Sequence, residues 1–174
     1  MKMVKNLRKP AIFFDRDGVL NEDDGYVYKP PDFKWIPGAT EVIRRLKEKG
    51  YLVIVITNQS GVARGFYTED DVIHLHTWMN KDLYGRHQQQ IDAFYYCPHH
   101  PKIGNEVYQK ECECRKPRPG LVRKALTDFT IDLDSSCLIG DKITDLETAE
   151  AIGIKSYKFT TENLLEFMVS KRIL

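Results

Sequence analysis

Five short apolar runs punctuate the chain, at 11–14 (AIFF), 52–56 (LVIVI), 93–96 (AFYY), 137–140 (CLIG) and 154–159 (IKSYKF). Most are apolar at every position, and a strand without polar alternation belongs in a parallel sheet covered on both faces. Between the runs, apolar positions recur at helical spacing and predict helices over about 39–49, 68–85, 120–129, 144–152 and 161–170. Pro37 and Gly38 precede the first helix, Gly50 closes it and Gly153 closes the fourth. Thr68 caps the second, with Glu69, Asp70 and Asp71 placing negative charge in its first turn. Regular alternation of strand and helix predicts an α/β fold, a doubly wound Rossmann-like parallel sheet. Two long connections, about 21–36 and 97–119, break that rhythm, and long loops in compact domains are usually functional.

At 174 residues, 42% hydrophobic and 11% aromatic, the chain has material for one core, so residues 1–174 read as a single domain without repeats or a linker. Its net charge of +1 supplies no global field toward nucleic acid or an anionic membrane. No stretch approaches the ~20 apolar residues of a membrane span, and the start, MKMVKNLRKPAIFF, lacks the apolar run of an export signal. A soluble, cytoplasmic monomer is the expectation. Of the four cysteines, Cys97, Cys112 and Cys114 crowd beside His99 and His100, a pattern suited to metal binding in a reducing compartment. Cys137 lies in a predicted strand and reads as core.

The chemistry starts at FFDRDGVLN. Asp15 stands at the end of the first strand and Asp17 two residues on, so extended backbone points both carboxylates the same way. In an open α/β sheet, ligands bind beyond the carboxyl ends of the strands. Alone, Asp-x-Asp-Gly is common in turns and calcium loops. Its partners change that reading: TNQSG (57–61) follows the second apolar run, Lys116 lies in RKPRPG, and GDKITD (140–145) follows the fourth run.

This ordered set, Asp-x-Asp, Thr, Lys and Gly-Asp, resembles the haloacid dehalogenase superfamily of aspartate-nucleophile phosphatases over residues 11–158. The resemblance implies Asp15 as nucleophile, Asp17 as general acid and base, and Thr57 and Lys116 as holders of the phosphoryl oxygens. It also implies a magnesium site formed by Asp15, the backbone carbonyl of Asp17, and Asp141, with Asp145 behind them. Asp17 must begin protonated, and a neighbouring carboxylate raises its pKa while the metal and Lys116 oppose this.

Cys97 and His99, twelve intervening residues, then Cys112 and Cys114 supply four nitrogen and sulfur ligands for a structural, tetrahedral zinc loop over 97–114. Spacing alone leaves His100 open as an alternative to His99. The sequence CPHHP followed by CxCRKP resembles the branch of the superfamily that acts on heptose bisphosphate and on histidinol phosphate, and there the first histidine ligates zinc. NEDDGYV (21–27), TNQSGVARG (57–65) and CRKPRPG (114–120) extend that likeness. They imply a small phosphorylated sugar as substrate, in a step of ADP- or GDP-heptose and lipopolysaccharide synthesis. Asp23, Asp24, Gly25, Tyr26, Asn58, Gln59, Ser60, Arg115 and Lys142 are its expected contacts. Arg115, Lys142 and Arg64 are the cations available to a second phosphate, with Arg64 open between that role and a loop role. Val19 replaces the threonine many relatives carry after the motif. No insert is long enough for a separate cap domain.

RRLKEKG (44–50) reads as a solvated helix face, and Trp35, Trp78 and the aromatic strand as packing. His74, His76 and His87 lack ligand partners nearby in sequence and read as surface or core groups.

Overall fold

The computed structural model describes residues 8–174, so the first half of the segment read for an export signal lies outside the described residues. Strands β1 (Lys9–Phe14), β2 (Leu52–Asn58), β3 (Ala93–Cys97), β4 (Ile131–Gly140) and β5 (Lys155–Lys158) form one sheet in the order β3-β2-β1-β4-β5. Every neighbouring pair is parallel. Helices α1 (Ala39–Glu48), α2 (Glu69–His87), α3 (Gly120–Asp128), α4 (Ile143–Ile152) and α5 (Leu164–Ser170) make the crossovers and the closing turn.

Two buried clusters explain the continuous apolar strands. Ile12, Phe14, Val53 and Val55 point to one face, beneath Val42 and Leu46 of α1, Leu75 and Met79 of α2, and Phe167 of α5. Ala11, Phe13, Ile54 and Ile56 point to the other, beneath Val122 and Ala125 of α3 and Ala149 of α4. Both faces of the sheet are dry, so alternation would have buried polar groups. Trp35 and Trp78 border the first cluster, as packing predicts.

The capping expectations hold at α2, where Asp71 N–H donates to Thr68 Oγ1 at 3.2 Å and Asp71 Oδ2 accepts from Thr68 N–H at 2.8 Å. One strand differs. β4 begins at Ile131, six residues before the predicted run, because Ile131 and Asp132 pair with Lys9 and Pro10 through backbone alone. The register shifts between Pro10 and Ile12, and there the buried Ser136 hydroxyl accepts the Ala11 N–H at 2.8 Å in place of a ladder carbonyl. No separate cap domain occurs among the described residues, and no described helix is long and apolar enough to cross a membrane.

Candidate active site and zinc loop

The carboxyl ends of β1, β2 and β4 meet at the centre of the sheet, and the polar residues buried there have no role in a core. Asp15 follows β1, is 5% exposed, and donates its N–H to Ile139 O on β4 at 3.0 Å. Lys116, 3% exposed, brings its ammonium 2.9 Å from Asp15 Oδ1 and 2.6 Å from Asp145 Oδ1, and donates to Ile56 O at 3.0 Å. Burial pushes the Asp15 carboxyl up to about 6; Lys116 works against this, and Asp145 and Asp17 with it. The Lys116 backbone is clasped by Asn58, whose Oδ1 accepts the Lys116 N–H at 3.0 Å while its Nδ2 donates to the Lys116 carbonyl at 3.2 Å.

Asp17 lies beyond the strand, which ends at Phe14, and the two carboxylates are held by different partners. Arg16, fully buried, folds its guanidinium onto Asp17, with Nη2 at 2.8 Å from Oδ1 and 3.0 Å from Oδ2, and also donates to Val27 O at 2.6 Å. Asn21 and Gln59 donate to the same carboxylate at 3.0 and 2.9 Å. Burial alone would raise its pKa, but the Arg16 charge and these hydrogen bonds outweigh that and hold Asp17 below the usual carboxylate range. Sequence alone gives Arg16 no role, since a charged residue between two aspartates reads as solvated; its one signal is its place inside the motif.

Thr57 is buried, and its Oγ1 accepts from Gln59 Nε2 at 2.9 Å, so its own hydroxyl hydrogen is left for another acceptor. Gln59 is buried too, its amide committed to Asp17, Thr57 and, as acceptor, Tyr67 Oη at 2.7 Å, which places it behind the site. Ser60 follows in the turn that accepts Arg64 N–H.

Magnesium fits the remaining carboxylates. Asp15, Asp141 and Asp145 each bring an oxygen within 4.8 Å of the others. Asp141 Oδ1 is buried without a hydrogen-bond partner, and burial raises this carboxyl, as expected of an acceptor set aside for a cation. Asp145 is spent otherwise: its Oδ1 faces Lys116 and its Oδ2 accepts Lys142 N–H at 3.0 Å. Gly18 has φ +84°, and a Cβ there would lie 2.6 Å from Asp141 Oδ2, so only glycine lets the motif turn beneath that carboxylate.

Zinc fits the second cluster. Cys97, His99, Cys112 and Cys114 converge, with Sγ atoms 3.0 to 3.5 Å apart and His99 Nδ1 at 3.3 Å from Cys114 and 3.7 Å from Cys97. Three thiols and an imidazole make a closed tetrahedral donor set for that metal. Hydrogen bonds from Cys97, against the effect of burial, push the Cys114 thiol down to about 5, toward the ligating thiolate. His99 joins this cluster, and His100 turns away toward Arg64. The metal loop carries Arg115, which donates to His99 O at 3.1 Å, and then Lys116.

The loop after β1 reaches the same mouth. Lys142 Nζ lies 3.4 Å from Asp23 Oδ2, Tyr26 packs edge-on against Phe66 at 4.7 Å, and Gly25 donates its N–H to Asp23 Oδ1. Asp24 instead pairs outward with Lys34 at 3.4 Å.

Known proteins resemble this chain in sequence and fold. Residues 12–76 match the haloacid dehalogenase-like hydrolase model, and residues 113–164 match a second model of the same superfamily. The D-glycero-β-D-manno-heptose-1,7-bisphosphate 7-phosphatase of Haemophilus ducreyi is 44% identical over 85% of this chain and 81% of its own. The enzyme of that name from Rhodopseudomonas palustris is 43% identical over 92% and 89%. The chain belongs to this family of haloacid dehalogenase-like phosphatases. Within the family, the crystal structure of D,D-heptose 1,7-bisphosphate phosphatase from B. bronchiseptica, complexed with magnesium and phosphate, superposes with a TM-score of 0.78 at 32% identity, covering 92% of this chain and 86% of that one. As a phosphatase of this family the chain is a phosphoric monoester hydrolase, and its five-stranded parallel sheet is the family fold.

Proposed function

We propose that the chain hydrolyses the 7-phosphate of D-glycero-β-D-manno-heptose 1,7-bisphosphate, releasing heptose 1-phosphate and inorganic phosphate. The observation that carries the reaction class is Asp15, a buried strand-end carboxylate 2.9 Å from a buried ammonium and beside an acceptor, Asp141 Oδ1, without a partner. The names of the relatives at 43 to 44% identity support the substrate.

In this reading a carboxylate oxygen of Asp15 attacks phosphorus, the bond to the sugar oxygen breaks, and the departing oxygen takes a proton from Asp17. The phosphoryl group is then carried on Asp15 as an aspartyl phosphate, a mixed anhydride. Asp17, now a base, takes a proton from water, which attacks phosphorus, frees phosphate and restores Asp15. Arg16 holds Asp17 ionised at rest, and the negative charge of an entering phosphate works against Arg16 to raise it. The Lys116 ammonium and the free hydrogen of Thr57 hold phosphoryl oxygens through the transfer. Asp15, the Asp17 carbonyl and Asp141 would hold magnesium, which when bound offsets the repulsion between the nucleophile and a phosphate dianion.

Histidinol phosphate, with one phosphate, would leave Arg115 without an anion, and a non-catalytic binding module would have no use for the buried Asp15 and Lys116 pair. Phosphate release from heptose 1,7-bisphosphate and from histidinol phosphate tests this reading. We expect kcat/KM to favour the bisphosphate by more than about tenfold, and Asp15→Asn to be silent on both. A preference for histidinol phosphate, or near-normal turnover by Asp15→Asn, overturns it.

A further inference from the structure

Arg64 and His100 point two donors at one another with no acceptor between them. His100 Nδ1 accepts the Lys102 N–H at 3.1 Å, so the ring hydrogen of His100 sits on Nε2. That nitrogen lies 3.4 Å from Arg64 Nη2, which also carries only hydrogens, and no hydrogen bond joins two donors. Arg64 Nε, in addition, is buried without a hydrogen-bond partner. Buried donors are normally paired. Lys34, Lys47, Lys116 and Lys142 each have a carboxylate partner, whereas among the described residues none pairs with Arg64 or Arg115. Arg115 lies beside them, donating to the carbonyl of the neighbouring His99 at 3.1 Å. Arg64 is a cation, and an anion seated between the two groups would accept from both.

The position of this cluster says which anion. Arg64 sits in the turn after β2, fixed by its own N–H to Ser60 O at 3.1 Å and by Phe66 N–H to Gly61 O at 2.9 Å. Its guanidinium carbon is 6.0 Å from the Tyr26 ring centre, on the loop after β1. His100 follows a zinc-cluster residue, and Arg115 immediately precedes Lys116. The cluster therefore touches the loops that carry Tyr26, His99 and Arg115, and among the described residues Arg64 makes no hydrogen bond or ion pair with Asp15 or Lys116. A planar guanidinium fork matches phosphate in two contacts.

Resting on the sugar bisphosphate reading above, the geometry points to Arg64 and His100, with Arg115, as the anchor for the phosphate that is not hydrolysed. Arg64 is then a specificity residue that tells a bisphosphate from a monophosphate, without touching the reacting atoms.

The test is kcat/KM for heptose 1,7-bisphosphate and for heptose 7-phosphate in the wild-type chain, Arg64→Gln and Arg64→Lys. Arg64→Gln is expected to lower the bisphosphate-to-monophosphate ratio at least about tenfold, mainly through KM for the bisphosphate. Arg64→Lys, which keeps the charge and loses the fork, lowers it less. A ratio that does not change, or equal losses on both substrates, overturns the assignment. Thermal melts establish that each variant is folded, and Arg64→Lys carries the comparison if Arg64→Gln is not. A wild-type chain that ignores the heptose bisphosphate sinks the substrate reading instead, and the same ratio measured with fructose 1,6-bisphosphate and fructose 6-phosphate then reads Arg64.

Discussion

The Arg16 guanidinium contacts both carboxylate oxygens of Asp17, at 2.8 and 3.0 Å, although the two residues are neighbours in sequence. Arg16 is fully buried, so this grip is unscreened and sets both the direction and the proton affinity of the Asp17 side chain.

Replacing Arg16 with methionine removes the fork and leaves Asp17 to Asn21 and Gln59. The Asp17 pKa then rises, because the largest influence lowering it is gone. The alkaline limb of the kcat profile, where the general acid loses its proton, should move to higher pH, and kcat at neutral pH should fall by about 10²-fold, the scale of a misdirected general acid. A pH–rate profile of the variant checks both, and Arg16→Lys should recover part of the loss.

Asp141 and Asp145 should respond oppositely to neutralisation. Asp141→Asn removes a buried acceptor that lacks a donor, so without metal the melting temperature should hold or rise, while stimulation by magnesium disappears. Asp145→Asn leaves Lys116 short of a carboxylate in a dry setting and should cost about 3 kcal/mol. Thermal melts and magnesium titrations of both variants distinguish them.

His76 gives the fold a pH dependence of its own. It is buried, stacked on Phe94 at 4.4 Å and 3.4 Å from Arg16 Nη1. Burial, then the Arg16 charge, push its imidazole down to about 3 from 6.5. The unfolded chain binds this proton below pH 6.5 and the folded one resists it until about 3, so the contribution is full above 6.5 and is lost as pH falls through that window. Its slope is up to about 1.4 kcal/mol per pH unit. Urea midpoints between pH 7 and 4 should fall less steeply for His76→Gln than for the wild-type chain.

Zinc removal should act on substrate binding. Cys112→Ser, assayed with magnesium supplied, should lose bound zinc and raise KM by about tenfold with a smaller change in kcat, because ordering the loop becomes part of each binding event. Metal content by atomic emission and steady-state kinetics on the same sample check the pair of effects.

What sequence conveys about this molecule follows from which forces are local. The apolar runs and their caps are local, and the strands at 52–56 and 93–96 lie within the observed ones. The start of β4 was not legible, because Asp132 through Ser136 carry a polar pattern and are held by backbone pairing and one hydroxyl. Asp15, Thr57 and Asp141 could be placed at one end of the sheet because each ends or follows a strand, and Lys116 because it stands just before a helix. The roles of Arg16 and Gln59 could not, since burying a guanidinium depends on Val27 returning from a distant loop to accept its hydrogen bond. Likewise, spacing could not separate His99 from His100, while the fold does so by turning one toward sulfur and the other toward Arg64.

Asn58 holds Lys116 by both ends of one peptide unit's neighbourhood, so the strand end that bears Thr57 and the loop that descends from the thiols behave as one mechanical body. Only Arg115 separates Cys114 from the ammonium-bearing residue. A larger thiophilic ion such as cadmium, seated in the same four ligands with longer bonds, would shift that ammonium relative to Asp15. With a metal in those ligands, its identity would become a fine adjustment of phosphate affinity.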